Sequence, residues 1–261
     1  MGRIEDAFAR ARLAGRAAFI PYVTAGDPDE AATRSLARAL AEEGADVLEL
    51  GVPFSDPLAD GPTIQRACER ALRGGMTLRR ALVLAGAIRD GSGIPIVLFT
   101  YVNPILRMGI DAFAGACRAA GVDGVLATDL PAEEAEDLRR ALSGRGVRLV
   151  PLLAPTSGPE RIAAAAGPDS GFIYYICRTG VTGERDEVPP GLRGEVEAVR
   201  RGTGLPVAVG FGIGTADQVR AVGAFSDGVV VGSALVRAVE EGRDDPEAAC
   251  RAAVRRLLGR G

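Results

Sequence analysis

The chain of 261 residues contains no histidine, and all 31 of its basic residues are arginine. Without lysine there can be no Schiff base to a substrate carbonyl or to pyridoxal phosphate. Without histidine, imidazole-based triads and the usual zinc centres drop out. Cysteine is scarce. Cys68, Cys117, Cys177 and Cys250 are scattered with no CxxC spacing, which fits reduced, buried small side chains in a cytosolic protein. No apolar run approaches the roughly 20 residues a membrane-spanning helix needs. Residues 1–16 lack the apolar core of a signal peptide. The net charge is −3, the pI is near 5.3, and no arginine-rich face stands out, so neither nucleic acid nor an anionic membrane is expected as a partner. A cytoplasmic protein is expected, with any acid–base chemistry left to carboxylates, tyrosines or a thiol.

What is present repeats one unit. Short apolar or β-branched runs alternate with alanine- and arginine-rich helical stretches. Strands are predicted at 18–23, 46–51, 94–101, 124–129, 147–153, 171–176, 206–212 and 227–233. Each is apolar almost throughout, as parallel strands buried on both faces should be. Helical patterns such as 28–44 and 131–146 lie between them, with Asp or Thr before several starts and Gly after many ends. Eight such pairs with no long linker predict one α/β domain over 1–261, a closed (β/α)8 barrel. An open doubly wound sheet would want a dinucleotide-type glycine turn after its first strand, whereas the first strand here runs into TAGDP. An extra N-terminal amphipathic helix is expected, with Ile4, Ala7, Phe8 and Ala11 on one face.

In such a barrel, chemistry belongs at the C-terminal ends of the strands. The second strand opens the block 45–62, ADVLELGVPFSDPLADGP. Alternation places Val47 and Glu49 on one face, with Leu48 and Leu50 on the other. A carboxylate among leucines at a strand end should be desolvated and its pKa raised. Glu49 reads either as a structural buried carboxylate or as an acid–base group. The basic residues nearest to it in sequence, Arg38 and Arg66, fall on presumed outer helices. Pro53, Pro57 and Pro62 shape the loop that follows. Asp60 stands just before a helix start, where it reads as an N-cap or as a second carboxylate at the barrel mouth. The sixth, seventh and eighth strands end in the glycine-containing turns 178–184, 210–214 and 232–235. One such turn would only close the chain tightly. Three in the same sector, the last opening a helix, suggest a phosphate cradle built from backbone amides.

The segments FIPYVTAGDPD (19–29), LELGVPFSDPLADGPTIQ (48–65), YVNPI (101–105), RTGVTG (178–183), VGFGI (209–213) and VGSALV (231–236) resemble the tryptophan synthase α-subunit family. The likeness runs in order along essentially the whole chain. It implies a lyase of tryptophan biosynthesis that cleaves indole-3-glycerol phosphate to indole and D-glyceraldehyde 3-phosphate. It also implies no cofactor in this chain, and a β-subunit partner carrying pyridoxal phosphate in an α2β2-type hetero-oligomer. Carried over by motif, Glu49 is the general acid–base and Asp60 the second carboxylate. Tyr174 orients Asp60 or the substrate. Thr182, Gly183, Gly212, Gly232 and Ser233 belong to the phosphate cradle and its closing loop. Tyr22, Phe99, Tyr101, Leu126, Phe211 and Val230 line the indole pocket. The stretch 178–190, rich in glycine and charge, is expected to close over substrate, and the loop 53–60 to face the partner. The chain departs from the family pattern at Cys177, where serine is usual, and at Tyr22, where phenylalanine is frequent. The helix after the fifth strand is expected to be short. Two other readings are a stand-alone lyase releasing free indole and a regulatory barrel without useful turnover.

Overall fold

The computed structural model describes residues 2–57, 60–167, 169–176, 188–210 and 212–260. Its strands are β1 (Ala18–Thr24), β2 (Leu48–Gly51), β3 (Ile96–Thr100), β4 (Gly124–Ala127), β5 (Arg148–Leu149), β6 (Leu152–Leu153), β7 (Ile173–Ile176), β8 (Val207–Gly210) and β9 (Gly228–Val231). All pair in parallel, in the spatial order β5-β4-β3-β2-β1-β9-β8-β7-β6. The two ends of that order, β5 and β6, are consecutive in sequence.

The expected fifth strand is therefore present as two short pieces, and the reason is local. The Val150 N–H donates to the Val125 carbonyl at 2.8 Å, on the β4 side. Pro151 has no N–H to continue that ladder. Its carbonyl instead accepts from the Tyr174 N–H at 2.9 Å, on the β7 side. One extended run thus serves both neighbours in turn and closes an eight-part barrel. The expected helix over 131–146 is also broken, into a 3₁₀ turn (Ala132–Glu134) and the helix Glu136–Ser143. The helix after the split strand, Pro159–Ala165, is as short as its Gly-Pro flanks suggest.

Alternation sorts the strand side chains into two cores. Tyr22, Val47, Val97, Phe99, Leu126, Tyr174, Ala208 and Val230 fill the barrel interior. Leu48, Leu50, Leu98, Val125 and Val209 face the surrounding helices. The amphipathic helix Arg3–Leu13 buries Ile4, Ala7, Phe8 and Ala11, as its periodicity predicts. Ile4 and Phe8 belong to the interior cluster, and the Phe8 ring meets Phe172 at 5.1 Å. Glycine makes this approach possible. A Cβ on Gly124 would meet Ile4 at 3.0 Å, and one on Gly228 would meet Phe8 at 3.1 Å. Gly124 and Gly228 begin their strands, so the helix plugs the N-terminal end and leaves the C-terminal end for ligands. Among the described residues no helix is long and apolar enough to cross a membrane.

Candidate active site

Glu49 sits inside the barrel near the end of β2, in register with Tyr22 on β1 and Val97 on β3. It is 2% exposed, and its Oε1 has no hydrogen-bond partner. Neither flanking arginine reaches it, for Arg38 pairs with Glu247 and Arg66 with Glu240. Burial, with a smaller contribution from repulsion by Asp60, pushes the Glu49 carboxyl up to about 8.

Asp60 is 3% exposed at the mouth of the same cavity. It is not the N-cap of the following helix, Pro62–Arg73. That position is held by Gly61, and no side chain caps the helix. The Asp60 carboxylate is therefore not consumed by capping. Instead its Oδ2 accepts a 3.0 Å hydrogen bond from the Tyr101 hydroxyl, while the Gln65 amide pins its carbonyl at 2.8 Å. Burial raises the Asp60 carboxyl to about 6, and the Tyr101 bond restrains the rise. The pair therefore divides its charge: Asp60 ionises first, and Glu49 keeps its proton against the resulting repulsion.

A cavity of about 250 Å³ joins these carboxylates to Tyr22, Phe99, Tyr174, Val230, Gly212, Gly232 and Ser233. Tyr22 and Phe99 meet edge to face, with ring centroids 5.6 Å apart. The extra hydroxyl of Tyr22 is buried, but it accepts a bond from Thr24 Oγ1 at 3.3 Å. Small residues at strand ends admit these rings. A Cβ on Gly51 would overlap the Tyr22 hydroxyl, and one on Gly210 would overlap that of Tyr174.

The helix start on the cavity wall has the character of an anion site. Gly232 is the N-cap of the helix Ser233–Glu241, which opens with no side-chain cap. The Leu235 and Val236 N–H groups donate to the Gly232 carbonyl at 2.9 and 3.1 Å, so the N–H groups that can face a ligand are those of Ser233 and Ala234 at the helix start. By contrast, the helix Ala216–Gly223 is closed by a full capping box from Thr215 and Gln218. Gly212, at φ +81°, holds a left-handed turn that favours glycine.

Two sequence expectations shift. Leu126 is fully buried among the interior residues and lies outside the cavity lining, and Tyr101 is also outside it, with its hydroxyl bonded to Asp60. Thr182, Gly183, Phe211 and Cys177, with most of the 178–190 stretch, lie outside the described residues. Sequence reasoning missed Thr63, Ile64, Ile213 and Arg237 on the lining. The detectable signal for Arg237 was its place four residues after Ser233, on the same helix face.

A parallel barrel that sets a proton-bearing glutamic acid, an ionisable aspartic acid and an open helix start around one cavity is an enzyme of acid–base chemistry on a phosphate-bearing substrate. Residues 8–257 match the family model described as tryptophan synthase alpha chain. The chain is 51% identical over 247 residues to the tryptophan synthase alpha chain of Opitutus terrae, covering 95% of this chain and 93% of that one. It is 50% identical to that of Geobacter sulfurreducens, with 92% and 91% covered. The alpha chain from Legionella pneumophila superposes with a TM-score of 0.89 at 36% identity, covering 98% of this chain and 96% of that one. A chain from the structure described as the structural basis of mutual activation of the tryptophan synthase a2b2 complex of Pyrococcus furiosus superposes with a TM-score of 0.87 at 40% identity, with 93% of this chain and 98% of that one covered. The chain belongs to the tryptophan synthase alpha chain family. It is a lyase for indole-3-glycerol phosphate, and pyridoxal phosphate belongs to the beta subunit rather than to this chain.

Proposed function

We propose that Glu49 and Asp60 divide the acid–base work of a retro-aldol cleavage of indole-3-glycerol phosphate. The bond between indole C3 and the side chain breaks once C3 is protonated, because the resulting iminium-like ring can accept the bonding electron pair. Between about pH 6 and 8 Glu49 holds the proton that C3 needs, while Asp60 is a carboxylate. Glu49 delivers its proton to C3, and the Asp60 carboxylate stabilises the positive charge developing at the ring N–H. Glu49, now ionised, takes the proton of the adjacent side-chain hydroxyl as that carbon becomes the aldehyde. The bonding pair returns to the ring, giving indole and glyceraldehyde 3-phosphate. Tyr22, Phe99 and Val230 seat the indole, Tyr174 orients the reacting groups, and Gly212, Gly232 and Ser233 hold the phosphate through backbone amides.

The observation that carries this reading is the buried, unpartnered Oε1 of Glu49 in a cavity shared with Asp60. The 1–261 chain is read as one domain working in the cytoplasm, as the α part of an α2β2 assembly. The Pyrococcus furiosus relative, described in terms of mutual activation within its a2b2 complex, supports the partner. Steady-state cleavage of indole-3-glycerol phosphate, with and without a beta subunit, tests both parts. Cleavage should rise markedly on complex formation. No cleavage under either condition refutes the mechanism, while full activity alone, unchanged by a beta subunit, refutes the subunit reading and favours a stand-alone lyase.

A further inference from the structure

The cavity that receives the substrate is lined by more acidic than basic side chains among the described residues. Asp60 lines the cavity as a carboxylate beside the proton-bearing Glu49, so a phosphate ester entering it meets a negative field that grows once Glu49 ionises. The chain has no lysine to offset it. A helix N-terminus supplies about half an elementary charge, less than a phosphate dianion carries. Among the described residues lining the cavity, Arg237 alone is cationic.

Its position is set by the helix that forms the cradle. Ser233 and Arg237 are four residues apart on the helix Ser233–Glu241, so they share a face one turn apart. Arg237 lines the cavity together with Gly212, Gly232 and Ser233. Arg66 and Arg70, on the helix Pro62–Arg73, both ion-pair with Glu240 of this helix. Arg66 forms a paired contact with Glu240 at 3.0 and 2.7 Å, and Arg70 is shared between Asp27 and Glu240. Glu240, on the same helix as Arg237, is held well ionised near 2 by Arg66 and Arg70.

We propose that Arg237 is a phosphate-recognition residue. Its guanidinium supplies the formal positive charge that the amide cradle lacks, and so selects the phosphorylated substrate over its neutral dephosphorylated counterpart. This role rests on the lyase reading of the same cavity.

The test compares wild type, Arg237→Lys and Arg237→Gln as full-length chains. The substrates are indole-3-glycerol phosphate and dephosphorylated indole-3-glycerol, with inorganic phosphate as inhibitor. Loss of one charge-assisted contact should raise KM for the phosphate ester and the inhibition constant of inorganic phosphate by about tenfold or more in Arg237→Gln. The fall in kcat should be much smaller than the rise in KM. Cleavage of the dephosphorylated compound should change little, so the preference for the phosphate narrows. Arg237→Lys should recover part of the loss, and KM in Arg237→Gln should respond less to added salt. Proportional losses on both substrates, or an unmoved inhibition constant for phosphate, would overturn the proposal. Should Arg237→Gln fail to fold, Arg237→Lys carries the same comparison with a smaller shift. A wild-type chain that cleaves neither substrate refutes the lyase reading itself, which is a different result from an active chain indifferent to Arg237.

Discussion

The Tyr101 hydroxyl donates to Asp60 Oδ2 at 3.0 Å, and the Tyr101 ring stacks on Phe54 with centroids 4.8 Å apart. A residue at the end of β3 is thereby fixed by the loop after β2, and it in turn fixes the carboxylate that closes that loop. Because the bond favours the ionised form, it keeps Asp60 from rising further than about 6. Tyr101→Phe keeps the stack and removes the bond. A hydrogen bond to a charged group contributes about 1.5–3 kcal/mol. The acid limb of the kcat/KM profile should accordingly move up by about one pH unit or more. An unmoved limb would mean that the limb does not report Asp60.

A bell-shaped kcat/KM profile should bracket the pair, with limbs near 6 for Asp60 and near 8 for Glu49. Glu49→Gln retains size and loses the transferable proton, so turnover should fall by about 10²-fold or more. Asp60→Asn removes the counter-charge to the ring and should lose a similar factor. Near-native turnover in either folded variant would remove that residue from the mechanism.

Stability should oppose activity at Glu49. Its folded pKa lies above the unfolded value of 4.5, at about 8. The protonated carboxyl is therefore tolerated in full below 4.5, and stability is lost as pH rises from there through 8. Glu49→Gln, which cannot ionise, should match wild type near pH 4 and gain on it steadily above pH 5. By pH 9 the difference should reach a few kcal/mol, or several degrees in Tm. Parallel Tm curves for the two proteins across this range would show that Glu49 is well solvated.

Much of this site could be read before any fold was known, and the unread parts share a cause. Glu49 was legible because alternation along β2 needs only local sequence. The helix start near Pro62 was legible too, but whether Asp60 capped it was not. That choice was decided by Gly61 taking the cap and by Tyr101, 41 residues away, supplying the bond. Nor does composition distinguish Arg237 from thirty other arginines, since its placement follows from the helix's rotation at the cradle. The break in the fifth strand was hidden in the same way. Pro151 is visible in sequence, but only the closure between β4 and β7 gives its missing N–H a consequence. Local chemistry fixed the elements, and long-range pairing fixed which polar groups meet.

A last prediction concerns the ion-pair clamp behind the cavity. Arg70, on the helix Pro62–Arg73, bonds both Asp27 oxygens at 2.7 and 2.9 Å and reaches Glu240 at 2.6 Å. It thereby ties the loop after β1 and the helix after Asp60 to the helix that starts the phosphate cradle. Asp27 is 4% exposed, so Arg70→Met would strand a buried carboxylate. Breaking such a pair from one side costs about 3–5 kcal/mol. In a chain of this size Tm should fall by roughly 2–4 °C for each kcal/mol. Arg70→Met with Asp27→Asn removes both charges and should recover part of that loss, whereas an additive double variant would show the contact to be energetically idle. The clamp also has a pH signature opposite to that of Glu49. Glu240 is held down near 2 by Arg66 and Arg70, so its stabilisation is complete above the unfolded value of 4.5 and lost as pH falls toward 2. Acid unfolding of wild type should thus steepen across this window, and Glu240→Gln should flatten it. If the Glu240→Gln curve keeps the wild-type slope between pH 4.5 and 2, the clamp contributes nothing to holding the cradle in place.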